Sequence, residues 1–252
     1  MMSKAAKRGL RLITRAREAA KPSAVRINRR LPGRRVDWGT LRRTSPYSDH
    51  YGYDRGQPVD RYYIERFLED RRRAIRGEVL EVGDAEYTRR FGSDRVTRSD
   101  VVDIDPARRQ ATLIADLCAP ASLPASRFDC VILTQTLQLL ADQTTALHNL
   151  WRSLRAGGVL LATVPCISRI ERKTPATDFW RYTPKGLELV IATSCPEATV
   201  VTEGRGNVLA AVAFLMGLAS EDLAEAELEA QDPYFPLVVC ATVSKPTAAA
   251  GP

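Results

Sequence analysis

The sequence predicts an α/β fold in which helices cover both faces of a mostly parallel, doubly wound sheet. Short apolar segments alternate with amphipathic segments from residue 77 onward. The first apolar segment, EVLEV at 78–82, runs directly into Gly83. Asp103 then ends the second apolar segment, twenty positions after that glycine. This spacing is typical of a Rossmann-like βαβ unit, in which a glycine turn approaches a nucleotide and an acid binds its ribose.

The elements follow one another along the chain. Strands are predicted at 78–82, 101–104, 111–116, 128–134, 159–164, 200–203 and 237–243, where short apolar runs are bounded by turn-forming or charged residues. Helices are predicted at 61–75, 85–91, 144–154, 183–193 and 209–219. Asp60 is the predicted N-cap of the first helix, and Pro184 suits the first turn of the fourth. Seven strands alternating with helices predict a seven-stranded sheet.

Charge and chain length limit the classes of function. Residues 1–35 contain twelve Lys or Arg and one acid, so this arm carries +11, whereas the rest of the chain carries −4. A basic arm can contact an anionic membrane, a protein or nucleic acid, or it can be a solvated tail. Nucleic acid is the weaker alternative, because the arm has few aromatic residues for base stacking. No apolar run approaches the roughly 20 residues that span a bilayer, and the N-terminus lacks an apolar signal core.

The cysteines and histidines limit the chemistry further. The five cysteines are scattered without a CxxC pair, and there are only two histidines. We therefore expect reduced, buried thiols in a cytoplasmic protein, with no metal site.

Four segments are predicted. Residues 1–36 form the basic arm, and residues 37–76 form an aromatic loop and a helix that cap the ligand site. Residues 77–245 form the Rossmann-like domain, and residues 246–252 form a tail. The sequence is compatible with a homodimer.

Polar residues at strand ends are the candidate ligand-binding groups. Glu81 and Asp84 flank Gly83, and their carboxylates can accept hydrogen bonds from an ammonium group of a ligand. The alternative is that Gly83 only makes a tight turn. Asp103 has the ribose-binding position, although Asp100 and Asp105 compete for it.

Two further strand ends contribute candidates. Asp116 can accept a hydrogen bond from an adenine amino group, or it can cap a helix. Gln135 follows the strand at 128–134, at the end of the sheet where ligands of open α/β folds bind. Asp129 begins the same strand and is interpreted as structural.

Six segments together resemble class I S-adenosylmethionine-dependent methyltransferases over about residues 60–245. They are EVLEVGDA, VVDIDP, ADL, RFDCVILTQTLQLL, LRAGGVLLATVP and DFWRYTPKGLELVI. The segments GQPVDRYYIERFL and GNVLAAVAFLMGLA resemble methyltransferase-like domains found near bacterial glycosyltransferases. The resemblance implies S-adenosylmethionine as cofactor. It also implies roles for several residues: Glu81, Gly83 and Asp84 at the methionine part, Asp103 at the ribose, Asp116 and Leu117 at the adenine, Gln135 near the methionine end, and Arg61 and Tyr62 on a helix that closes over the cofactor.

The glycine turn departs from the family pattern. Members commonly have an acidic residue followed by three glycines at alternate positions, whereas this chain has Glu81-Val82-Gly83-Asp84-Ala85-Glu86-Tyr87. Ala85 and Tyr87 therefore replace two glycines. The Tyr87 ring either stands beside the cofactor or turns away into the packing.

The acceptor side is predicted from two segments. Asp178 and His50 are the candidate bases, with a pairing of Asp178 with Arg181 and an exposed loop position for His50 as alternatives. Trp180, Arg181 and Tyr182 form either a wall of the acceptor site or a packed aromatic lid.

The predicted activity is S-adenosylmethionine-dependent methylation, at oxygen, of a small molecule or a sugar; the sugar rests on the resemblance alone. The alternative is a non-methylating, degenerate domain that serves as a binding or scaffold component in glycan or secondary-metabolite assembly. A nucleic-acid methyltransferase is disfavoured, because the strand end at Leu133–Leu137 has no NPPY-like motif.

Overall fold

The computed structural model describes residues 38–247. One sheet contains the strands β1 (Gly77–Val82), β2 (Val96–Asp103), β3 (Leu113–Ile114), β4 (Phe128–Thr134), β5 (Leu154–Pro165), β6 (Thr199–Arg205) and β7 (Val238–Ser244). Its order is β3-β2-β1-β4-β5-β7-β6. All neighbours are parallel except β7, which runs antiparallel to β5 and β6. The predicted seven-stranded, mostly parallel sheet is confirmed.

Helices pack on both faces of the sheet. They are α1 (Val59–Asp70), α2 (Gln143–Ser153), α3 (Pro184–Ser194), α4 (Val208–Leu215) and the short α5 (Glu225–Glu229). Asp142 and Thr183 cap α2 and α3, since their side chains accept hydrogen bonds from backbone N–H groups in the first turn. Asp60 lies inside α1, whose N-cap is Pro58, so the predicted capping role of Asp60 is wrong.

The core has two layers, one on each face of the sheet. Val79 and Leu80 are adjacent on β1 but belong to opposite layers, because successive side chains of a strand point to opposite faces. Val131 and Ile132 on β4 divide in the same way. One layer contains α2 and α3, and the other contains α1 and α4. The doubly wound architecture places the carboxyl ends of β1 and β4 side by side.

The region after Gly83 differs most from the prediction. The predicted helix at 85–91 is a brief helical turn followed by a π-helical turn at Thr88–Gly92. β2 begins at Val96 rather than at 101, because its parallel pairing with β1 extends back to Gly77. β3 is only two residues long, since it pairs with β2 alone at the edge of the sheet.

Of the described residues, those from 45 to 247 belong to one compact unit. The predicted arm, residues 1–36, and most of the predicted tail lie outside the described residues. Within residues 38–247, no helix is long and apolar enough to cross a membrane, and no group of three His, Cys, Asp or Glu residues could hold a metal ion.

Candidate ligand site at the carboxyl ends of the strands

Two cavities lie at the carboxyl ends of the central strands. The turn cavity, of about 350 Å³, lies beside the Gly83 turn and is lined by Glu81, Asp84 and Tyr87 among others. The large cavity, of about 470 Å³, is lined by parts of the loop at 49–53, the segment at 165–173 and residues of α1. Tyr53, Arg61 and Gln135 line both cavities. A ligand in one cavity would therefore lie next to a ligand in the other.

Gly83 leaves open space at the end of β1. Its φ of +94° lies in the left-handed region that favours glycine, and its N–H donates to the Val102 carbonyl at 2.9 Å. A Cβ built on Gly83 would meet no heavy atom within 4 Å. The backbone at this position is therefore accessible to a ligand.

The Tyr87 ring packs against its neighbours and also forms part of the wall of the turn cavity. It is only 7% exposed and stacks on Phe91, with ring centroids 6.0 Å apart. Its hydroxyl accepts a hydrogen bond of 3.1 Å from Nη1 of Arg61. Ala85 is also buried. Ala85 and Tyr87, which replace two glycines, therefore do not fill the space beside Gly83. The open turn has room for the amino-acid end of an adenosyl cofactor.

The buried carboxylate of Glu81 holds the backbone of the turn that follows Gly83. It is 2% exposed, and its two carboxylate oxygens accept hydrogen bonds from the N–H groups of Tyr87, at 3.1 Å, and Thr88, at 2.7 Å. Burial raises the pKa of Glu81 to about 7. Both oxygens are engaged by the backbone, whereas the neighbouring Asp84 is exposed and accepts only from the Glu86 N–H, at 2.8 Å. Asp84 is thus the better-placed partner for a ligand ammonium group.

Gln135 stands at the junction of the two cavities in a strained conformation. Its φ is +46°, which is unfavourable for a residue with a side chain. The backbone is held by a bond from its N–H to the Thr163 carbonyl at 2.8 Å. Its side-chain Nε2 is buried without a hydrogen-bond partner among the described residues. Strain and an unpaired polar group together are typical of a functional position.

The residues predicted to bind the adenosine part of the cofactor lie outside both cavities. Asp103 ends β2, where it accepts from the Asp105 N–H at 2.9 Å and pairs with Arg108 at 3.4 Å. Asp116 accepts from the Cys118 N–H at 2.8 Å, which is a local turn contact. Leu117 is buried in the core. None of Asp103, Asp116 and Leu117 lines either cavity.

Arg61 and Tyr62 diverge although they are adjacent on α1. The Arg61 guanidinium donates to the hydroxyls of Tyr53, at 3.2 Å, and Tyr87, at 3.1 Å. Tyr62 lines neither cavity, and its ring contacts Tyr63 edge-on and the guanidinium of Arg66. The structure does not bring Tyr62 to the site, because one residue along a helix rotates a side chain by more than a quarter turn.

Asp178 lines the large cavity, but both of its carboxylate oxygens already accept hydrogen bonds. Both of its oxygens accept hydrogen bonds from Arg181, and Oδ2 also accepts from the Glu171 N–H at 2.8 Å. The hydrogen bond from Arg181 lowers the pKa of Asp178 below its ordinary value. Such a carboxylate is a weak base, so Asp178 organises the cavity wall, as the pairing alternative proposed. His50 is exposed and also lines the cavity, with its ring centroid 5.4 Å from that of Tyr53.

The aromatic residues beside Arg181 face elsewhere. Trp180 donates from Nε1 to the Leu140 carbonyl at 3.0 Å, and Tyr182 is buried in the core. Neither lines the large cavity, whereas Arg181 does. Of the predicted acceptor wall, the structure therefore retains only Arg181.

Apart from Gln135, sequence reasoning missed the polar residues around the large cavity. Among residues 38–247, eight buried side-chain polar atoms have no hydrogen-bond partner. Four of them belong to residues that line this cavity: Asp60 Oδ1, Gln135 Nε2, Gln138 Oε1 and Arg169 Nε. An unpaired buried polar atom costs about 1–3 kcal/mol. The concentration of such atoms indicates a site whose hydrogen bonds are completed by a ligand.

Arg169 forms one wall of this cavity. Its guanidinium carbon lies 3.7 Å from the ring centroid of Tyr51. The Tyr51 hydroxyl donates to Glu171 Oε2 at 3.0 Å, and burial together with this bond raises the pKa of Tyr51 to about 12. The wall therefore combines a cationic, an aromatic and an anionic side chain. Arg169 and Tyr51 lie 118 positions apart, so no local sequence pattern indicated the contact.

Comparisons with known proteins agree with this geometry. A family model described as a methyltransferase domain matches residues 79–162. The cyclase SpnF is similar in structure, with 15% identity and a TM-score of 0.53 over 81% of this chain and 87% of that one. An S-adenosylmethionine-dependent methyltransferase from Mesorhizobium loti has 13% identity and a TM-score of 0.50, over 74% and 98%. The comparison with curated proteins gave no match.

The two similar structures support the fold, and the family model matches one third of the chain. The matched segment contains most of β1, all of β2, β3 and β4, and most of β5. S-adenosylmethionine is the cofactor of this superfamily. The turn at Gly83, open to a ligand, lies within the matched residues. Residues 79–162 therefore match a methyltransferase domain, and the described residues have a fold similar to that of S-adenosylmethionine-dependent methyltransferases.

Proposed function

We propose that this domain transfers the methyl group of S-adenosylmethionine to a hydroxyl oxygen of a small molecule or a sugar. The observation that carries the proposal is the junction of the two cavities at Tyr53, Arg61 and Gln135. The amino-acid end of the cofactor would occupy the turn cavity, and the acceptor would occupy the large cavity. When bound, the cofactor supplies an electrophilic methyl group on a sulfonium sulfur.

The large cavity suits a small, polar acceptor. Its volume of about 470 Å³ lies in the range of small-molecule sites. Its unpaired atoms include the acceptors Asp60 Oδ1 and Gln138 Oε1 and the donors Gln135 Nε2 and Arg169 Nε. A molecule with several hydroxyl groups can donate to the first pair and accept from the second after small side-chain rotations. A mainly apolar acceptor would leave all four unpaired.

Asp60 is the group we propose as general base. Burial raises the pKa of Asp60, and its Oδ1 has no partner among the described residues. Both properties favour uptake of a proton from an acceptor hydroxyl. Asp178 has the opposite environment, because Arg181 lowers its pKa. His50, at the same cavity, is proposed to contact the acceptor.

The ribose and the adenine of the cofactor are assigned to residues outside the two cavities. We assign the ribose to Asp103, because it ends β2, next to the Gly83 turn that ends β1. Its ion pair with Arg108 is long, at 3.4 Å, and the Arg108 side chain is 59% exposed, so a ligand can replace it. Asp116 and Leu117 are assigned to the adenine on the resemblance alone.

A second candidate function is a domain that binds ligands without methylating them. One observation favours it: the predicted adenine-binding residues line neither cavity. The similar structure of SpnF is that of a cyclase, so this fold also supports other activities. Such a domain would serve as a binding component in glycan or secondary-metabolite assembly.

Two measurements separate these functions. In calorimetric titration of the full chain, we expect S-adenosylmethionine and S-adenosylhomocysteine to bind, and no binding at about 1 mM would reject the proposal. Asp103→Ala should weaken binding by about 1–3 kcal/mol, and unchanged affinity would reject the ribose assignment. Transfer of a radiolabelled methyl group to a panel of sugars, amino sugars and phenols then tests activity. Binding without transfer to any of them would favour the second candidate, and transfer to nitrogen would reject the oxygen assignment.

A further inference from the structure

The turn cavity has an unusual balance of charge. Among the described residues that line it, four carry carboxylates: Glu65, Glu81, Asp84 and Glu86. Arg61 is the one lining residue within residues 38–247 that carries a positive charge. A ligand group that has both an ammonium and a carboxylate would match this arrangement, whereas a simple cation would not need Arg61.

Arg61 is held firmly but its charge is not neutralised by an ion pair. Its Nε and Nη1 donate to two neutral phenols, Tyr53 and Tyr87. No carboxylate of residues 38–247 lies within 4.0 Å of the guanidinium, and Nη2 has no hydrogen-bond partner among these residues. Arg66, one turn further along α1, instead pairs with Glu229 at 2.7 Å. The fixed orientation of Arg61 leaves part of its planar fork of donors available, which suits a carboxylate.

Arg61 also remains charged in this setting. Burial acts to lower the pKa of Arg61, but the nearby Asp60 carboxylate and the phenols of Tyr87 and Tyr53 more than offset it, so the pKa lies above its ordinary value. The guanidinium is half-buried, so water screens its attraction for an anion less than it would at the surface.

We propose that Arg61 binds the carboxylate at the amino-acid end of the cofactor, and that Tyr87 is a positioning residue that orients the guanidinium. Asp84 would face the ammonium group of the same ligand. This inference rests on the proposed function. Under it, the tyrosine that stands where the family commonly has a glycine is a functional replacement, since it supplies a hydroxyl that holds Arg61 next to the turn.

The test compares two ligands by calorimetric titration of the full chain. One is S-adenosylhomocysteine, and the other is 5′-deoxy-5′-(3-aminopropylthio)adenosine, which keeps the amine and lacks only the carboxylate. Arg61→Met should weaken S-adenosylhomocysteine by about 10- to 100-fold and leave the carboxylate-free ligand within about 3-fold. Arg61→Lys should lie between the wild type and Arg61→Met. Tyr87→Phe should reduce the preference for S-adenosylhomocysteine by about 3- to 10-fold, because it frees the guanidinium without removing its charge.

Arg66→Met is the matched control, since it removes a cation from the outer side of the same helix, and it should change neither affinity. Wild-type affinity of Arg61→Met for S-adenosylhomocysteine would overturn the inference. An equal loss for both ligands would also overturn it, because the variant would then have damaged the site as a whole. A wild-type chain that binds neither ligand would reject the proposed function itself, which is a different pattern from either of these.

Discussion

The two ends of the central strands differ in how their polar and charged side chains are paired. Near the amino ends of β1, β4 and β5, Arg155 pairs with Glu78 at 2.7 Å and with Asp129 at 2.9 Å. Arg127, which directly precedes β4, pairs with Asp100 within β2 at 2.6 Å. At the carboxyl ends, the side chains around the large cavity include four buried polar atoms that have no hydrogen-bond partner within residues 38–247.

The difference separates structural charges from functional ones. A paired and hydrogen-bonded charge stabilises the fold, and removal of one partner leaves the other uncompensated. A buried polar atom without a hydrogen bond lowers the stability of the ligand-free protein. Such an atom is retained where a ligand supplies the missing hydrogen bond. Substitutions at the amino ends should therefore change stability, whereas substitutions at the carboxyl ends should change binding and catalysis.

Asp60→Asn should have the largest effect. If the Asp60 carboxylate takes the acceptor proton, this variant should lower kcat for the acceptor found in the radiolabel assay by about 10²- to 10⁴-fold, since a general base contributes that much. Its affinity for S-adenosylhomocysteine should stay within about 3-fold of the wild type, because Asp60 does not line the turn cavity.

Two further variants make this test specific. Asp60→Glu should recover part of the activity, because it restores a carboxylate. Asp178→Asn removes the partner of Arg181 and should lower activity without abolishing the pH dependence that Asp60 confers. If Asp60→Asn retained full activity with a wild-type pH profile, Asp60 would have no role as a base.

Asp100→Asn tests the paired charges, because Asp100 lies within β2 and binds Arg127 at the amino end of β4. The side chain of Asp100 is buried, and its carboxylate accepts from Arg127, from Arg98 at 3.0 Å and from the Thr112 hydroxyl at 2.8 Å. Loss of its charge should reduce the free energy of unfolding by about 2–3 kcal/mol, less than for a fully buried pair, because both arginines are partly exposed. Urea unfolding measures the change. A variant as stable as the wild type, or one that lost affinity for S-adenosylhomocysteine, would contradict the comparison.

Glu81→Gln tests the support of the turn. The pKa of Glu81 is about 7 in the folded chain and about 4.5 when unfolded, so the stability from its protonated form is present below 4.5 and is lost as pH rises to 7. Over this range the wild-type free energy of unfolding should fall by about 1–3 kcal/mol through this group. Glu81→Gln should flatten that slope, whereas the exposed control Glu86→Gln should keep it. An unchanged slope in Glu81→Gln would show that Glu81 titrates normally.

The sheet was predictable because its signals are local. Apolar runs such as FDCVILT at β4 need only their own composition to be recognised, and Gly83 marked the turn by its position after β1. The site was less predictable, because its contacts join distant segments. Arg169 meets Tyr51, and Tyr87 meets Arg61, through folding alone. Two carboxylates of the large cavity show the same contrast. The pairing that lowers the pKa of Asp178 is with Arg181, three positions away, whereas the burial that raises the pKa of Asp60 comes from folding.

Arg108→Met should have the smallest effect. It tests the ion pair of Arg108 with Asp103, which lies at the carboxyl end of β2 but resembles the structural ion pairs near the amino ends. Arg108 is largely exposed and lies 3.4 Å from Asp103, so loss of the pair should change the free energy of unfolding by less than about 0.5 kcal/mol. If Asp103 binds the ribose, removal of its competitor should leave the affinity for S-adenosylhomocysteine unchanged or raise it by up to about 3-fold. Calorimetric titration and urea unfolding of the same preparation measure both quantities. A loss of more than about 1 kcal/mol in stability would place this pair with the structural charges of the amino ends, and a loss of affinity would assign Arg108 itself to the ligand.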